Sequence, residues 1–331
     1  MSLRALIPVA GAGTRLRPLT YAVPKSLLTV ADKPIVGHIL DSLQSAGIEE
    51  VVLIVGYKGD QLVGYVRNAY PTLKLHWVVQ TEAQGLGHAV WCARDYLDGR
   101  PMVIVLGDTL VELDWEEFLG VPQNAVGVKE VEDPRRFGVI VVRDGAVTGF
   151  VEKPENPPSD LALVGLYLIR DTLRLREALE ELLRRDLRTR GEYQLTDALE
   201  LMRQSGSQFH PLRVQTWYDC GKVETLLETN RHLLHRRANN PALPRCAVIP
   251  PVYVAPTARV EYAVIGPYAA IADGAVVRHC IIRDSIVNAG AYLEAVLVER
   301  SVIGARSTLH GSFQRVSLCD DSRVQQGTDI P

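Results

Sequence analysis

Apolar residues follow two rhythms along this chain, and the rhythm changes near residue 240. In the first part, largely apolar stretches of strand length at residues 6–9, 51–55, 75–79 and 102–106 alternate with segments of helical periodicity. Ile35, Val36, Ile39, Leu40 and Leu43 form one helical stripe, ended by Gly47. Leu62, Val63, Val66 and Tyr70 form a second, and Ala89, Val90, Ala93 and Tyr96 a third. Strand and helix alternating at this period predict βαβ units and a doubly wound, mostly parallel α/β sheet. Such sheets bind ligands beyond the carboxyl ends of their strands. The turn after the first strand and Gly107-Asp108 after the fourth both fall there.

Residues 125–131, 138–142 and 146–152 are shorter strand signals, the last two joined by the hairpin dipeptide Asp144-Gly145. They predict antiparallel strands that flank the parallel sheet and wall a second pocket. Helical periodicity returns at 172–185, 195–204 and 223–237, and Asn239-Asn240-Pro241-Ala242-Leu243-Pro244 reads as a linker. Beyond it Val254, Val260, Ile265, Ile271, Val277, Ile282, Val287, Leu293, Val298, Ile303 and Leu309 follow at intervals of five or six residues. That spacing is the hexapeptide repeat of a left-handed parallel β-helix, here of roughly four coils. The expected organisation is an α/β domain over residues 1–240 and a short β-helix over 245–331. Two domains suit a chain of 331 residues, longer than one core usually grows.

Composition narrows the partners. A hydrophobic content of 47% suits a packed globular protein, and a net charge of −3 gives no field for nucleic acid or acidic membranes. The pairs Arg184-Arg185 and Arg236-Arg237 fit solvated helix faces. No apolar run is long enough to cross a bilayer, and the N-terminus carries no signal-peptide pattern. Cys92, Cys220, Cys246, Cys280 and Cys319 are scattered without a Cys-x-x-Cys pair and read as reduced packing thiols of a cytoplasmic protein.

The chemistry concentrates in Gly11-Ala12-Gly13-Thr14-Arg15-Leu16-Arg17-Pro18-Leu19-Thr20, followed by Pro24-Lys25 and Asp32-Lys33-Pro34. A strand running into a glycine-rich turn offers bare backbone N–H groups to an anion. A Walker loop needs a Gly-Lys pair that follows neither Gly11 nor Gly13 at the required distance. A dinucleotide fingerprint needs glycine where Leu16 stands and a helix at once, which Pro18 and Pro24 forbid. What remains is an open loop with two cations, Arg15 and Lys25, suited to a triphosphate that is gripped and then cut. No Ser/His/Asp or Cys/His arrangement and no zinc pattern stands out. Phosphoryl-type transfer needs none, because its catalysis is chiefly positioning and charge neutralisation.

The glycine-rich loop, Pro24-Lys25-Ser26-Leu27 and Lys33-Pro34 together resemble the signature of the sugar-1-phosphate nucleotidylyltransferases. The resemblance covers most of the chain and is closest to the long-form glucose-1-phosphate thymidylyltransferases. The family's usual Gly-Gly is Ala10-Gly11 here, as in bacterial UDP-glucose pyrophosphorylases. The resemblance implies a Rossmann-like nucleotidyltransferase domain, with nucleotide contacts from Ala10, Gly11, Ala12, Gly13, Thr14 and Arg15 and catalytic roles for Arg15 and Lys25. Gly107-Asp108-Thr109 resembles the family's Gly-Asp-Asn, and Trp217-Tyr218-Asp219-Cys220-Gly221 its Trp-x-Asp-x-Gly. These imply that Asp108 and Asp219 ligate a catalytic Mg²⁺, with Asp108 also on the nucleotide. The segment from Gln80 through Gly85 to Ala89 resembles the base-recognition segment, which implies Gln80 on the pyrimidine edge and Gly85 where backbone approaches the base.

Phe137-Gly138-Val139, Glu152-Lys153-Pro154, Leu163-Val164-Gly165-Leu166-Tyr167 and the Gly-Glu-x-x-Leu-Thr-Asp pattern from Gly191 to Asp197 resemble sugar-binding elements. They imply sugar-phosphate contacts from Gly138, Glu152, Lys153 and Val164, with Pro154 expected to end the strand so that Glu152 and Lys153 face one ligand. The implied reaction joins dTTP and α-D-glucose 1-phosphate into dTDP-glucose and pyrophosphate. Its rivals are UTP with glucose, mannose or N-acetylglucosamine 1-phosphate, a bifunctional enzyme with an acyltransferase in the β-helix, and a catalytically silent regulatory subunit. Retention of Asp108, Asp219, Arg15, Lys25 and Lys153 argues against silence. A β-helix this short, whose only histidines are His279 and His310, is expected to serve packing and homo-oligomer assembly. Both histidines are expected on its outer surface, and its last coil is expected to be covered by a neighbour or by residues 315–324.

Overall fold

The first apolar run forms strand β1 (Arg4–Pro8) in a computed structural model that describes residues 3–313. Helix α1 (Ile35–Ser45), strand β2 (Glu50–Val55), α2 (Gly59–Ala69), β3 (Lys74–Val79), α3 (Leu86–Cys92) and β4 (Met102–Val105) follow in the predicted alternation. The four strands are parallel in the order β4-β1-β2-β3, with Leu6 paired to Val52 on one side and Ile104 on the other. Strands covered on both faces read as continuous apolar runs, which is why β2 is buried throughout while β3, at the sheet edge, alternates with exposed residues. Helix α3 is shorter than its periodicity suggests, and Tyr96 belongs to a separate 3₁₀ turn, Arg94–Tyr96. Between β1 and α1 the proline-interrupted loop winds through three more such turns, Thr14–Leu16, Leu19–Tyr21 and Lys25–Leu27.

The chain continues through β5 (Thr109–Glu112), α4 (Trp115–Gly120), β6 (Asn124–Glu130), β7 (Gly138–Arg143) and β8 (Ala146–Glu152), then β9 (Leu161–Ile169), α5 (Thr172–Arg184) and α6 (Leu195–Gln204). It ends this unit with β10 (Phe209–Arg213), β11 (Thr216–Asp219) and α7 (Val223–Arg237). Asp144 and Gly145 both take positive φ, as the β7–β8 hairpin requires. Strand β9 contains Leu163–Tyr167, a segment that the sequence reads only as a sugar-binding element. It joins the two halves of a nine-stranded sheet, antiparallel to β6 along one edge and, at successive positions, to β7 and β4 along the other. Its register against β6 shifts between Leu163 and Tyr167, where Gly165 takes φ 84, while the Gly165 carbonyl still accepts from the Leu106 amide just past β4 at 2.9 Å. The core beneath, including Leu6, Val52, Ile104, Tyr167, Leu179, Leu199 and Phe209, is shared by both halves.

A second compact unit begins at Asn239. Three four-stranded parallel sheets stack as the faces of a left-handed β-helix of four coils. Val264, Ile281 and Leu297 occupy one rung position coil after coil, directly over one another. Corner residues in left-handed backbone recur with the coils, as at Tyr262, His279 and Ala295. The residues predicted to face inward from Val254 to Val298 are buried, and Leu309 in the last coil is 39% exposed. The two asparagines read as linker instead pair with the first coil. Asn239 donates to the Val254 carbonyl at 2.7 Å and accepts from its amide at 3.0 Å, while Asn240 accepts from Val252 at 2.9 Å. Their carboxamides act as a surrogate strand on an edge otherwise open to pairing. His279 stacks on Tyr262 at 5.0 Å, and exposed His310 lies 3.4 Å from Glu294. Residues 315–324, expected to cover the last coil, lie outside the described residues.

Candidate active site

Segments following β1, β3 and β4 meet the bulge of β9 around a cavity of about 490 Å³. The β5–β11 ladder carries its most consequential pair. Asp219 lies opposite Thr109 in antiparallel register, and the Cys220 amide donates to the Asp108 carbonyl at 3.0 Å, so two carboxylates from distant segments flank one spot. Strand alternation sends Trp217 and Asp219 to this cavity and Tyr218 to a second one, about 440 Å³, between α1 and α7. The Lys25 ammonium is ion-paired with Asp108. Burial, followed by the like charge of Asp108, pushes the Asp219 carboxyl above the usual aspartate range, while Lys25, Arg15 and Arg136 pull it back. Among the described residues no cluster of three or more His, Cys, Asp or Glu side chains could hold a metal. A cation here would rest on these two carboxylates and on substrate oxygens, a hard-oxygen set that suits Mg²⁺.

On the opposite wall β8 ends at Glu152 and the backbone of Lys153 turns left-handed, φ 40. This turn, rather than Pro154 alone, brings both adjacent side chains to the cavity, since extended backbone would send them to opposite faces. A non-glycine residue held this way costs on the order of 1 kcal/mol, a strain that clusters at functional sites. Glu152 Oε2 accepts from the Thr196 hydroxyl at 2.6 Å, and Lys153 Nζ lies 3.0 Å from Oε1. Phe137 and Trp217 meet edge-on with centroids 4.9 Å apart, and the buried indole N–H of Trp217 has no hydrogen-bond partner among the described residues. Gln80, just past β3, donates its amide nitrogen to the Gly85 carbonyl and to His88 Nδ1, each at 3.1 Å. Gly85 takes φ 107, and a Cβ there would stand 2.5 Å from the Tyr193 carbonyl, so no side chain fits.

A glycine-rich loop beside paired carboxylates and cations is also what the sequence matches, for residues 4–236 fit the Nucleotidyl transferase family. The chain belongs to that family. This nucleotidyl transferase is 31% identical to the glucose-1-phosphate thymidylyltransferase of Streptomyces griseus over 98% of its own length and 99% of the relative's. It is 32% identical to the UTP–glucose-1-phosphate uridylyltransferase of Bacillus subtilis, covering 68% of its own length and 90% of the relative's. Its structure resembles that of a UDP-glucose pyrophosphorylase complexed with UDP-glucose, with a TM-score of 0.62 and 27% identity over 72% of this chain and 100% of that one.

Of the residues expected at the site, Ala10, Gly11, Arg15, Lys25, Gln80, Gly85, Asp108, Gly138, Glu152, Lys153, Val164 and Asp219 line the transferase's cavity. Ala12, Gly13 and Thr14 do not. Gly13 instead takes φ 60 and accepts the Thr20 hydroxyl at 2.9 Å, and a Cβ on it would press on Lys25 at 3.0 Å. It shapes the turn between Arg15 and Lys25. The Val164 carbonyl already accepts the Thr109 hydroxyl at 3.1 Å, which leaves one lone pair for a ligand. Sequence reasoning did not touch Arg136 and named Tyr167, Glu192 and Thr196 only as members of motifs, without roles, yet all four line the cavity. Glu192 and Thr196 lay inside the Gly-Glu-x-x-Leu-Thr-Asp pattern, and alternate spacing around the start of α6 could have found them. Arg136 sits in an irregular turn, where no periodicity marks it.

Proposed function

We propose that this sugar-1-phosphate nucleotidyltransferase takes dTTP and α-D-glucose 1-phosphate and returns dTDP-glucose and pyrophosphate. The observation that carries the reading is the meeting in one cavity of Asp108 and Asp219, the cations Arg15, Lys25, Arg136 and Lys153, and the Glu152–Thr196 pair. No protein nucleophile is needed, because the sugar phosphate oxygen attacks the α-phosphorus while the bond to the departing pyrophosphate breaks in line. Arg15 and Lys25 stabilise the charge that builds on the leaving group. Lys153 holds the sugar phosphate, and Glu152, oriented by Thr196, accepts from sugar hydroxyls. Gln80 reads the base edge, and Gly85 lets the backbone come close to it. A divalent cation on Asp108 and Asp219, Mg²⁺ by its donor set, would supply charge neutralisation between phosphates.

Similarity to a thymidylyltransferase along the whole chain supports dTTP. Ala10-Gly11 and the similarity to a uridylyltransferase support UTP as the second reading. The proposal extends to a cytoplasmic homo-oligomer, with residues 1–240 carrying the reaction and the β-helix of 245–331 serving assembly without acyl transfer. Pyrophosphate release over a grid of nucleoside triphosphates and sugar 1-phosphates tests the substrates. Highest kcat/KM with dTTP and glucose 1-phosphate is the expected result, and a clear preference for any other pair refutes the assignment.

A further inference from the structure

Gln80 has two amide hydrogens, and both are spoken for. One goes to the Gly85 carbonyl at 3.1 Å, and the other to His88 Nδ1 at 3.1 Å. The Gly85 carbonyl can only accept, and it also takes the Ala89 N–H at 3.0 Å. An amide turned the other way would set two acceptor oxygens against each other. Since Nδ1 accepts, the ring proton sits on Nε2, which lies 4.0 Å from Cys92 Sγ one helical turn on in α3. Burial keeps that thiol protonated, so the sulfur can receive the proton's hydrogen bond. Cys92, His88 and Gln80 form a relay running from the helix to the cavity, in which each donor has one direction left to point.

Resting on the substrate reading above, we infer that His88 is a positioning residue that locks the Gln80 carboxamide so that Oε1 is the only group it offers the nucleobase. Among the described residues no donor meets that oxygen. A lone acceptor requires an N–H across from it. The imide N3–H of uracil or thymine supplies one, whereas cytosine presents a lone pair at the same ring position and leaves two acceptors opposed. Replacing His88 with a residue that cannot accept frees one amide hydrogen, and the carboxamide can then rotate to present either end.

The test compares kcat/KM for UTP, CTP and 3-methyl-UTP, each with glucose 1-phosphate, in the parent enzyme, His88→Leu and His88→Gln. The parent should prefer UTP over both other nucleotides. His88→Leu should narrow the preference on the order of 10- to 100-fold, through the nucleotide KM and with the glucose 1-phosphate KM unmoved. His88→Gln, which can again place an acceptor oxygen near the amide, should restore most of it. A structural role for His88 would instead lower activity on all nucleotides alike. An unchanged UTP:CTP ratio in a folded His88→Leu overturns the inference, as does a parent that uses 3-methyl-UTP as well as UTP, a result that requires no variant to fold. A parent inactive with dTTP and UTP alike defeats the substrate reading and this inference together, and a parent active with dTTP alone carries the same comparison on dTTP, dCTP and 3-methyl-dTTP.

Discussion

Replacing Asp219 with asparagine removes one negative charge and leaves the shape of the side chain nearly intact. The carboxylate lies beside Asp108 at the end of the β5–β11 ladder, and a Cβ on Gly221 would stand 2.8 Å from its Oδ1, so the pocket around it is tight and an isosteric amide suits it. Unit charges about 4 Å apart in a surroundings of effective dielectric near 20 interact by about 4 kcal/mol, which is the order of the attraction lost between this position and a cation shared with Asp108. At about 1.4 kcal/mol per factor of ten, kcat should fall by roughly a thousandfold.

The same change should not harm the fold. Because burial and Asp108 raise the folded pKa of Asp219, this group disfavours the folded state progressively as pH rises above the unfolded aspartate value, and asparagine escapes that penalty. Without divalent cations at pH 7 the variant should therefore melt no lower than the parent. Pyrophosphate release titrated with Mg²⁺ and calorimetry with EDTA read the two effects separately. Near-parent turnover at saturating Mg²⁺ would refute the ligand role. A large drop in melting temperature without metal would refute the account of the charge pair.

Arg15→Ala should cost on the order of 3 kcal/mol, mainly in kcat, because its charge acts on the departing pyrophosphate; steady-state kinetics showing only a higher nucleotide KM would reduce it to a binding residue. Glu152→Gln should narrow discrimination across a panel of sugar 1-phosphates by weakening the acceptor that Thr196 orients, and an unaltered ranking of sugars would rule that role out. Ile282, fully buried in the β-helix with Ile265 and Val298 stacked on either side, should lose about 2–5 kcal/mol on conversion to alanine. Calorimetry should place that loss in the β-helix transition, while pyrophosphate release at 25 °C stays near the parent value.

The alternation of apolar runs and helical stripes was enough to reveal the parallel half of the sheet, and the hexapeptide period enough to reveal the β-helix. Both are local periodicities, in which each residue's burial follows from its position in a repeating element. Glycine and proline spacing likewise separated the loop after β1 from two other phosphate loops, since what those residues permit is a property of the backbone alone. Strand β9 escaped because a continuous apolar run carries no sign of its partners, and its place between β4 and β6 is a matter of non-local pairing. The short strands β5 and β11 escaped for the same reason, although their register is what brings Asp108 beside Asp219. Sequence named both aspartates through resemblance to a family, but only the folded ladder makes them neighbours and raises the pKa of one of them. Lys153 shows the division most plainly. The sequence expected Pro154 to end the strand and so bring it to the same ligand as Glu152, but it is a left-handed φ at Lys153 itself, which no sequence pattern marks, that turns it toward the cavity.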